Sequence, residues 1–184
     1  MKKIFLLISV LFISNLFAIS VGEKKKLFLD NVLPVIQKVY AQNIAEGKYV
    51  HPISITLAQA AMESAWGTSR FFKEANNIFG VWAYDKNTPR IAALGKRNGK
   101  TIWLKKYASL EESVSDYYRN ISKSSAYKNF RELNKNDAKV YDLVKELRMY
   151  SEKRDAYSKE LAQIIRYNKF LKYDAKRVIS PASQ

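Results

Sequence analysis

The chain has no cysteine and one histidine, His51. Without cysteine there can be no disulfide, so the fold must be held by its core alone. With a single histidine and no thiolate, a zinc site of the usual His/Cys type cannot be assembled, and no metal or other cofactor is expected. A Ser-His-Asp triad would have to use His51, which stands just before Pro52 at the entry to a helix with no converging partners in view. It reads as a loop or cap residue. Internal repeats and low-complexity tracts are also missing. One local absence matters later: the stretch from Lys86 to Ser109 contains neither Asp nor Glu.

Acids are scarce throughout. Lys and Arg number 32 against 17 Asp and Glu, a formal charge of +15. Such a protein is drawn to polyanions, among them wall polymers and anionic headgroups. The basic residues are dispersed and form no recognised DNA- or RNA-binding motif, so a nucleic-acid partner is not expected. The first residues point to export. Met1-Lys2-Lys3 is a positive opening, Ile4 to Phe17 is apolar apart from Ser9, Ser14 and Asn15, and the small Ala18 offers a cleavage site. The apolar run is short for a membrane span. Residues 1–18 are therefore read as a secretory signal peptide, with no stable membrane span after its removal and a periplasmic or cell-envelope destination. Removing about 20 residues leaves roughly 165, enough for one domain and one sizeable core. That domain, residues 22–184, is expected to act as a monomer.

Periodicity divides the domain into helices and one hairpin. Asp30 to Glu46 reads as a helix with Asp30 as N-cap, Pro34 in its early part and Gly47 ending it. Pro52 to Trp66 reads as a second helix, closed by Gly67, whose Ala58, Ala60, Ala61 and Ala65 let neighbours approach closely. Asn98-Gly99, between Arg90-Ile-Ala-Ala-Leu94 and Thr101-Ile-Trp-Leu-Lys-Lys-Tyr107, is a strong hairpin signal. Ser109-Leu-Glu-Glu112 fits a capping box that opens a helix through Val114, Tyr117, Tyr118 and Ile121. Two more apolar stripes follow, Val140–Leu147 and Tyr157–Ile165, and from about Lys172 periodicity is lost in what reads as a frayed tail. The expected architecture is α+β and predominantly α, with a buried central helix and a small β-hairpin lobe roofing a cleft.

Glu63 carries the chemical interest. It lies near the end of the second helix, where the C-terminal pole of the macrodipole disfavours a negative charge. Trp66, three residues on, is placed to cover the same face. Both effects raise a carboxyl pKa and keep the proton on, as a general acid for glycoside cleavage requires. The plain alternative is an ordinary helix-end Glu paired with Lys73 or Arg70.

Four blocks, in order along the chain, carry a family resemblance. They are Leu57-Ala-Gln-Ala-Ala-Met-Glu63-Ser-Ala-Trp-Gly-Thr-Ser-Arg-Phe71, Asn76-Asn-Ile-Phe-Gly-Val81, Tyr107 through Tyr117, and Tyr150-Ser-Glu-Lys-Arg-Asp-Ala-Tyr157-Ser-Lys-Glu-Leu161. Together they resemble the glucosaminidase family of peptidoglycan hydrolases, glycoside hydrolase family 73, and in particular its short Bax-type branch. The resemblance implies a lysozyme-like fold and an N-acetylglucosaminidase cleaving β-1,4 bonds of peptidoglycan glycan strands. It implies Glu63 as proton donor and Tyr157 as the tyrosine of the reaction centre, with Tyr150 nearby. Asn77, Phe79, Gly80 and Trp82 would shape the sugar-binding floor, beside Trp66.

Many members of the family carry a second acid in the β lobe, where this chain has none. Asp85, Glu74, Glu111, Glu112 and Asp116 are the remaining candidates, with Asp85 nearest the lobe. An inverting mechanism needs such a base, whereas substrate assistance through the sugar's 2-acetamido group does not. A lytic transglycosylase of the same fold and a non-catalytic basic wall-binding module are the alternative functions.

Overall fold

The computed structural model describes residues 20–174. The expected signal peptide lies outside the described residues. Seven α-helices and one hairpin follow in order: α1 (Val21–Ala45), α2 (Ile53–Glu63), α3 (Arg70–Ala75), β1 (Arg90–Arg97), β2 (Lys100–Lys105), α4 (Leu110–Lys123), α5 (Lys128–Lys135), α6 (Val140–Lys145) and α7 (Asp155–Tyr167). Short 3-10 turns cover Ser125–Tyr127, Glu146–Tyr150 and Phe170–Tyr173. Among the described residues no helix is long and apolar enough to cross a membrane.

α2 is the axis of the molecule. Every residue from Ile53 to Ala61 is buried, polar Ser54, Thr56 and Gln59 included. Its alanines let α1, α7 and the Phe170–Tyr173 turn close around it, because a side chain of one carbon keeps helix backbones near each other. Phe28, Val32, Ile36 and Val39 from α1, with Leu161 and Ile165 from α7, complete the core on its flanks.

α1 starts nine residues before the expected N-cap. Ser20 accepts a hydrogen bond from the Glu23 N–H at 3.1 Å, and Glu23 accepts from the Ser20 N–H at 2.8 Å. This capping box, not Asp30, opens the helix. Asp30 instead pairs with Lys26 one turn back. Pro34 therefore lies in the helix interior, and the Asp30 carbonyl loses its usual N–H partner there.

The hairpin forms where Asn98-Gly99 demanded it. Asn98 has φ 49° and Gly99 φ 73°, the pair of positive φ values a type I′ turn needs. Arg97 pairs with Lys100 and Arg90 with Lys105, with an irregularity between Ala92 and Lys96. The preceding segment is stitched to the hairpin by an Ala83 N–H to Trp103 carbonyl bond of 2.8 Å and a Lys105 N–H to Val81 carbonyl bond of 2.9 Å. Ser109 caps α4 as expected, by accepting from the Glu112 N–H, but the Glu112 carboxylate accepts from the Ala108 N–H instead of closing a box on Ser109.

Lys172 and Tyr173 belong to the last 3-10 turn and Asp174 bonds to α2, while the rest of the expected tail, 175–184, lies outside the described residues. Phe170 is fully buried, and the Asp174 carboxylate accepts from the Ser54 N–H at 2.8 Å and the Ser54 hydroxyl at 2.7 Å. Pro52, at the N-cap of α2, offers no side-chain acceptor. Asp174 does that work from 120 residues away, and a negative charge suits this end of a helix dipole. Asp174→Ala should lower stability by about 1–2 kcal/mol, as loss of a helix cap does, while Asp174→Asn should retain much of it. Urea unfolding of the three proteins checks this, and equal midpoints for wild type and Asp174→Ala would dismiss the cap.

Candidate active site

Glu63 is the last residue of α2. Beyond it the chain takes a left-handed path, with positive φ at Ala65 (50°), Trp66 (57°) and Gly67 (73°). Left-handed backbone is unfavourable for residues with a Cβ. Here it is held by Ser64, whose hydroxyl donates to the Ala60 carbonyl at 2.6 Å and accepts from the Gly67 N–H at 2.9 Å. The path has a consequence for Trp66. Its ring turns away from Glu63 to pack edge-on against Phe28 and beside Phe170, with the Lys25 ammonium 4.6 Å from the ring centre. Trp66 thus anchors the end of α2 to the core; its ring does not cover the acid and is not among the residues that line the cleft.

The half-buried Glu63 carboxyl has a different neighbour. The Tyr157 hydroxyl, brought in by α7, donates to Oε1 at 2.9 Å. Oε2 lies toward Gly80, where a Cβ would come within 3.9 Å of it. Gly80 has φ +66°, so the chain can turn there beside the carboxyl without steric conflict. Burial pushes the Glu63 pKa up to about 7 from the ordinary 4.5. The Tyr157 hydrogen bond opposes this, the charge of Glu160 adds to it, and Lys153 opposes it. Arg70 and Lys73 are not its partners: Arg70 pairs with Glu74 and donates to the Ala92 carbonyl.

A cleft of about 830 Å³ opens on the Gly80 side of the acid, lined by Phe79, Gly80, Trp82, Asp85, Tyr127 and Tyr150 among others; Glu63 itself is not part of its wall and meets it through Gly80. Tyr150 stacks on Tyr157 with ring centres 5.7 Å apart, and its hydroxyl donates to the Phe79 carbonyl at 3.0 Å. It thereby fixes the Phe79-Gly80 backbone next to Glu63. Desolvation first, then the charge of Glu63, holds the Tyr150 and Tyr157 hydroxyls well above their ordinary pKa, so both remain donors.

The other expected floor residues divide by role. Trp82 is 36% exposed on the cleft, with Tyr84 beside it and Arg97 over its ring. Phe79 lines the cleft but is 2% exposed, stacked on Tyr117 at 4.1 Å. Asn77 is buried and does not reach the floor. Its amide donates to the Val81 and Lys105 carbonyls and accepts from the Val81 N–H, tying the loop to β2.

Most candidate second acids have local partners. Glu74 pairs with Arg70, Glu111 with Lys38, and Glu112 caps at Ala108. Asp116 is buried among Lys105, Tyr107 and Arg119. Among these five, Asp85 alone lines the cleft, exposed, with its carboxylate accepting from the Asn87 N–H.

Sequence reasoning missed Tyr127, which sits over Tyr150 and feels the charge of Glu63. It also missed Glu160 and Lys153 in the electrostatics of the acid. Glu160 lies one turn beyond Tyr157 on α7, and that spacing was the available signal. His51, expected as a loop or cap residue, does precede α2 but is 2% exposed, with Nε2 2.9 Å from the Tyr117 hydroxyl.

With this geometry in place, the relatives of the chain are informative. Residues 38–170 match the glucosaminidase family, described as mannosyl-glycoprotein endo-beta-N-acetylglucosaminidase. Protein bax of Escherichia coli is 30% identical over 144 residues, covering 73% of this chain and 49% of that protein. Exo-glucosaminidase LytG of Bacillus subtilis is 36% identical over 100 residues, covering 52% of this chain and 33% of that protein. The chain thus spans half or less of the length of these relatives. The catalytic domain of the autolysin Auto from Listeria monocytogenes superimposes with a TM-score of 0.65 at 23% identity, covering 84% of this chain and 90% of that domain. That likeness shows the fold, a lysozyme-like α+β arrangement with its central buried helix and small hairpin lobe. By its family match and its sequence relatives, the chain belongs to the glucosaminidase family of glycoside hydrolases.

Proposed function

We propose that the protein is an exported peptidoglycan hydrolase that cleaves β-1,4 bonds of glycan strands as an N-acetylglucosaminidase, with Glu63 as general acid. The observation that carries this reading is the Glu63 carboxyl itself. It is half-buried beside an open cleft, with a pKa raised to about 7 and one oxygen already committed to Tyr157. At neutral pH and below it holds a proton to give to a departing glycosidic oxygen.

The mechanism that best suits the residues is substrate-assisted. Glu63 Oε2 delivers its proton to the glycosidic oxygen as the C1–O bond breaks. The carbonyl oxygen of the sugar's 2-acetamido group bonds to C1, giving a cyclic oxazolinium. Water then adds to C1 while the Glu63 carboxylate takes its proton, which reopens the ring and restores the acid. Tyr157 holds the acid through Oε1, and Tyr150 lines the cleft next to it. An acid-free hairpin is compatible with this course, because the second carboxylate of an inverting enzyme is not required. The same hairpin equally suits a transglycosylase, in which the muramic acid 6-hydroxyl replaces water. Only that reaction leaves 1,6-anhydro ends, so mass spectrometry of muropeptide products separates the two.

Glu63→Gln should abolish release of sugar from purified peptidoglycan. It should also stabilise the fold above neutrality. The unfolded Glu63 loses its proton near pH 4.5 and the folded one only near 7, so stability falls as pH rises across that window. The unfolding midpoint of Glu63→Gln should therefore exceed that of wild type at pH 8, and by less at pH 4.5. An active Glu63→Gln protein would refute the assignment.

In wild type, kcat/KM should fall as pH rises through about 7. Tyr157→Phe removes a donor that favours the carboxylate, so that limb should move to higher pH while kcat drops roughly 10- to 100-fold, within the range of general acid–base contributions. An unmoved limb would show that Tyr157 does not tune the acid. Asp85→Asn should keep kcat within a fewfold of wild type. A loss matching that of Glu63→Gln would make Asp85 the base and end substrate assistance.

A further inference from the structure

Four hydrogen bonds join the one histidine to Glu63 through the buried interior. His51 Nε2 is 2.9 Å from the Tyr117 hydroxyl, which donates to Gln59 Oε1 at 2.5 Å. Gln59 Nε2 donates to the Tyr157 hydroxyl at 2.8 Å, and Tyr157 donates to Glu63 Oε1 at 2.9 Å. Gln59 is completely buried, at the centre of α2, and His51, Tyr117 and Tyr157 are at most 3% exposed. Burying so many polar groups costs stability unless each finds a partner. An apolar side chain at position 59 would avoid that cost, yet the chain carries an amide there.

An amide differs from a hydroxyl in having ends that cannot exchange roles. The NH2 group only donates and the carbonyl only accepts. Tyr157 must therefore accept from Gln59, and the single hydrogen of its hydroxyl is left to point at Glu63 Oε1. Tyr117 must donate to the Gln59 carbonyl, so its oxygen is left to accept from an Nε2–H of His51. The donors all run in one direction, toward the acid. When Glu63 is protonated, Oε1 already receives a hydrogen, and the acid proton belongs on Oε2, the oxygen facing Gly80.

We propose that Gln59 is a positioning residue for the acid: its fixed amide polarity orients the Tyr157 hydroxyl and so keeps the transferable proton of Glu63 on Oε2, toward the cleft. Without the amide, the Tyr157 hydrogen is free to turn toward the interior, and the carboxyl proton can settle on Oε1, directed at the phenol and away from substrate. This rests on Glu63 being the general acid. Tyr127, Tyr150, Lys153 and Glu160 also reach Glu63, and the hydrogen bonds of the Gln59 amide go instead to Tyr157 and Tyr117.

Gln59→Met and Gln59→Glu test the inference on the whole chain, with purified peptidoglycan as substrate and Glu63→Gln as a parallel control. Gln59→Met keeps the bulk and removes the polarity. It should lower kcat about tenfold or more, within the span of general-acid effects, leave KM unchanged, and shift the alkaline limb upward. The carboxyl that Gln59→Glu introduces has, when protonated, one donor and one acceptor like the amide. Completely buried, this carboxyl keeps its proton through the pH at which Glu63 ionises, but its donor and acceptor ends can exchange. Gln59→Glu should therefore show a kcat between those of wild type and Gln59→Met, with an alkaline limb shifted upward by less than in Gln59→Met. Circular dichroism and thermal unfolding check that each variant folds. If Gln59→Met does not, Gln59→Glu alone decides, being isosteric. Wild-type kcat and limbs in the folded variants, with Glu63→Gln inert, would overturn the role of Gln59 and leave the acid standing. Loss of kcat with no change in either limb would also overturn it, reducing Gln59 to packing. Activity in Glu63→Gln would instead overturn the proposed function itself.

Discussion

A carboxyl at the end of an almost wholly buried helix is a burden on the fold, and the bond from Tyr157 makes it tolerable. Burial holds the proton on Glu63, and ionising it is opposed by a few kcal/mol relative to water. The phenol gives that carboxyl one partner strong enough to fix its orientation, yet not so strong that the carboxylate becomes the stable form at neutral pH. Much of the molecule is arranged around this contact. α7 delivers Tyr157, Tyr150 stacks on the same ring, and the Tyr150 hydroxyl in turn holds the backbone at Phe79-Gly80 beside the second carboxyl oxygen.

The far side of the acid is governed by a turn in the chain. Three successive residues in left-handed backbone are unfavourable, and they are maintained by Ser64 and by the packing of Trp66 among Phe28 and Phe170. That packing ends α2 at Glu63, so the carboxyl stands at a helix terminus with open space ahead of it. Core hydrophobicity and site geometry are here the same set of contacts.

Much of this was legible beforehand. The alanine-rich α2, the Asn-Gly hairpin, the Ser109 cap and the carboxyl at Glu63 each left a local mark, and local marks survive in the one-dimensional chain. What failed had tertiary causes. Trp66 counts as i+3 from Glu63 only if the helix continues, and the left-handed turn reverses the direction of its ring. The family resemblance assigns Asn77 to a binding floor, yet its amide fastens a loop. The start of α1 was misplaced because the Ser20–Glu23 box lies so near the apolar leader that it reads as its edge. Gln59, Tyr117 and His51 gave no signal at all, since a polar residue inside an apolar stripe shows its partners only once distant segments are brought together.

The hydrogen bond from Asp174 to the first turn of α2 and that from Tyr157 to its last residue span 120 and 94 positions of sequence. A ribosome makes the acid early and both of its supports late. No shorter nascent chain can contain a finished site: until α7 has been synthesised the carboxyl lacks its phenol, and until Asp174 follows, the helix bearing it lacks its cap. The order of synthesis thus acts as a delay, and the carboxyl has both of its supports only when nearly the whole described chain is in place.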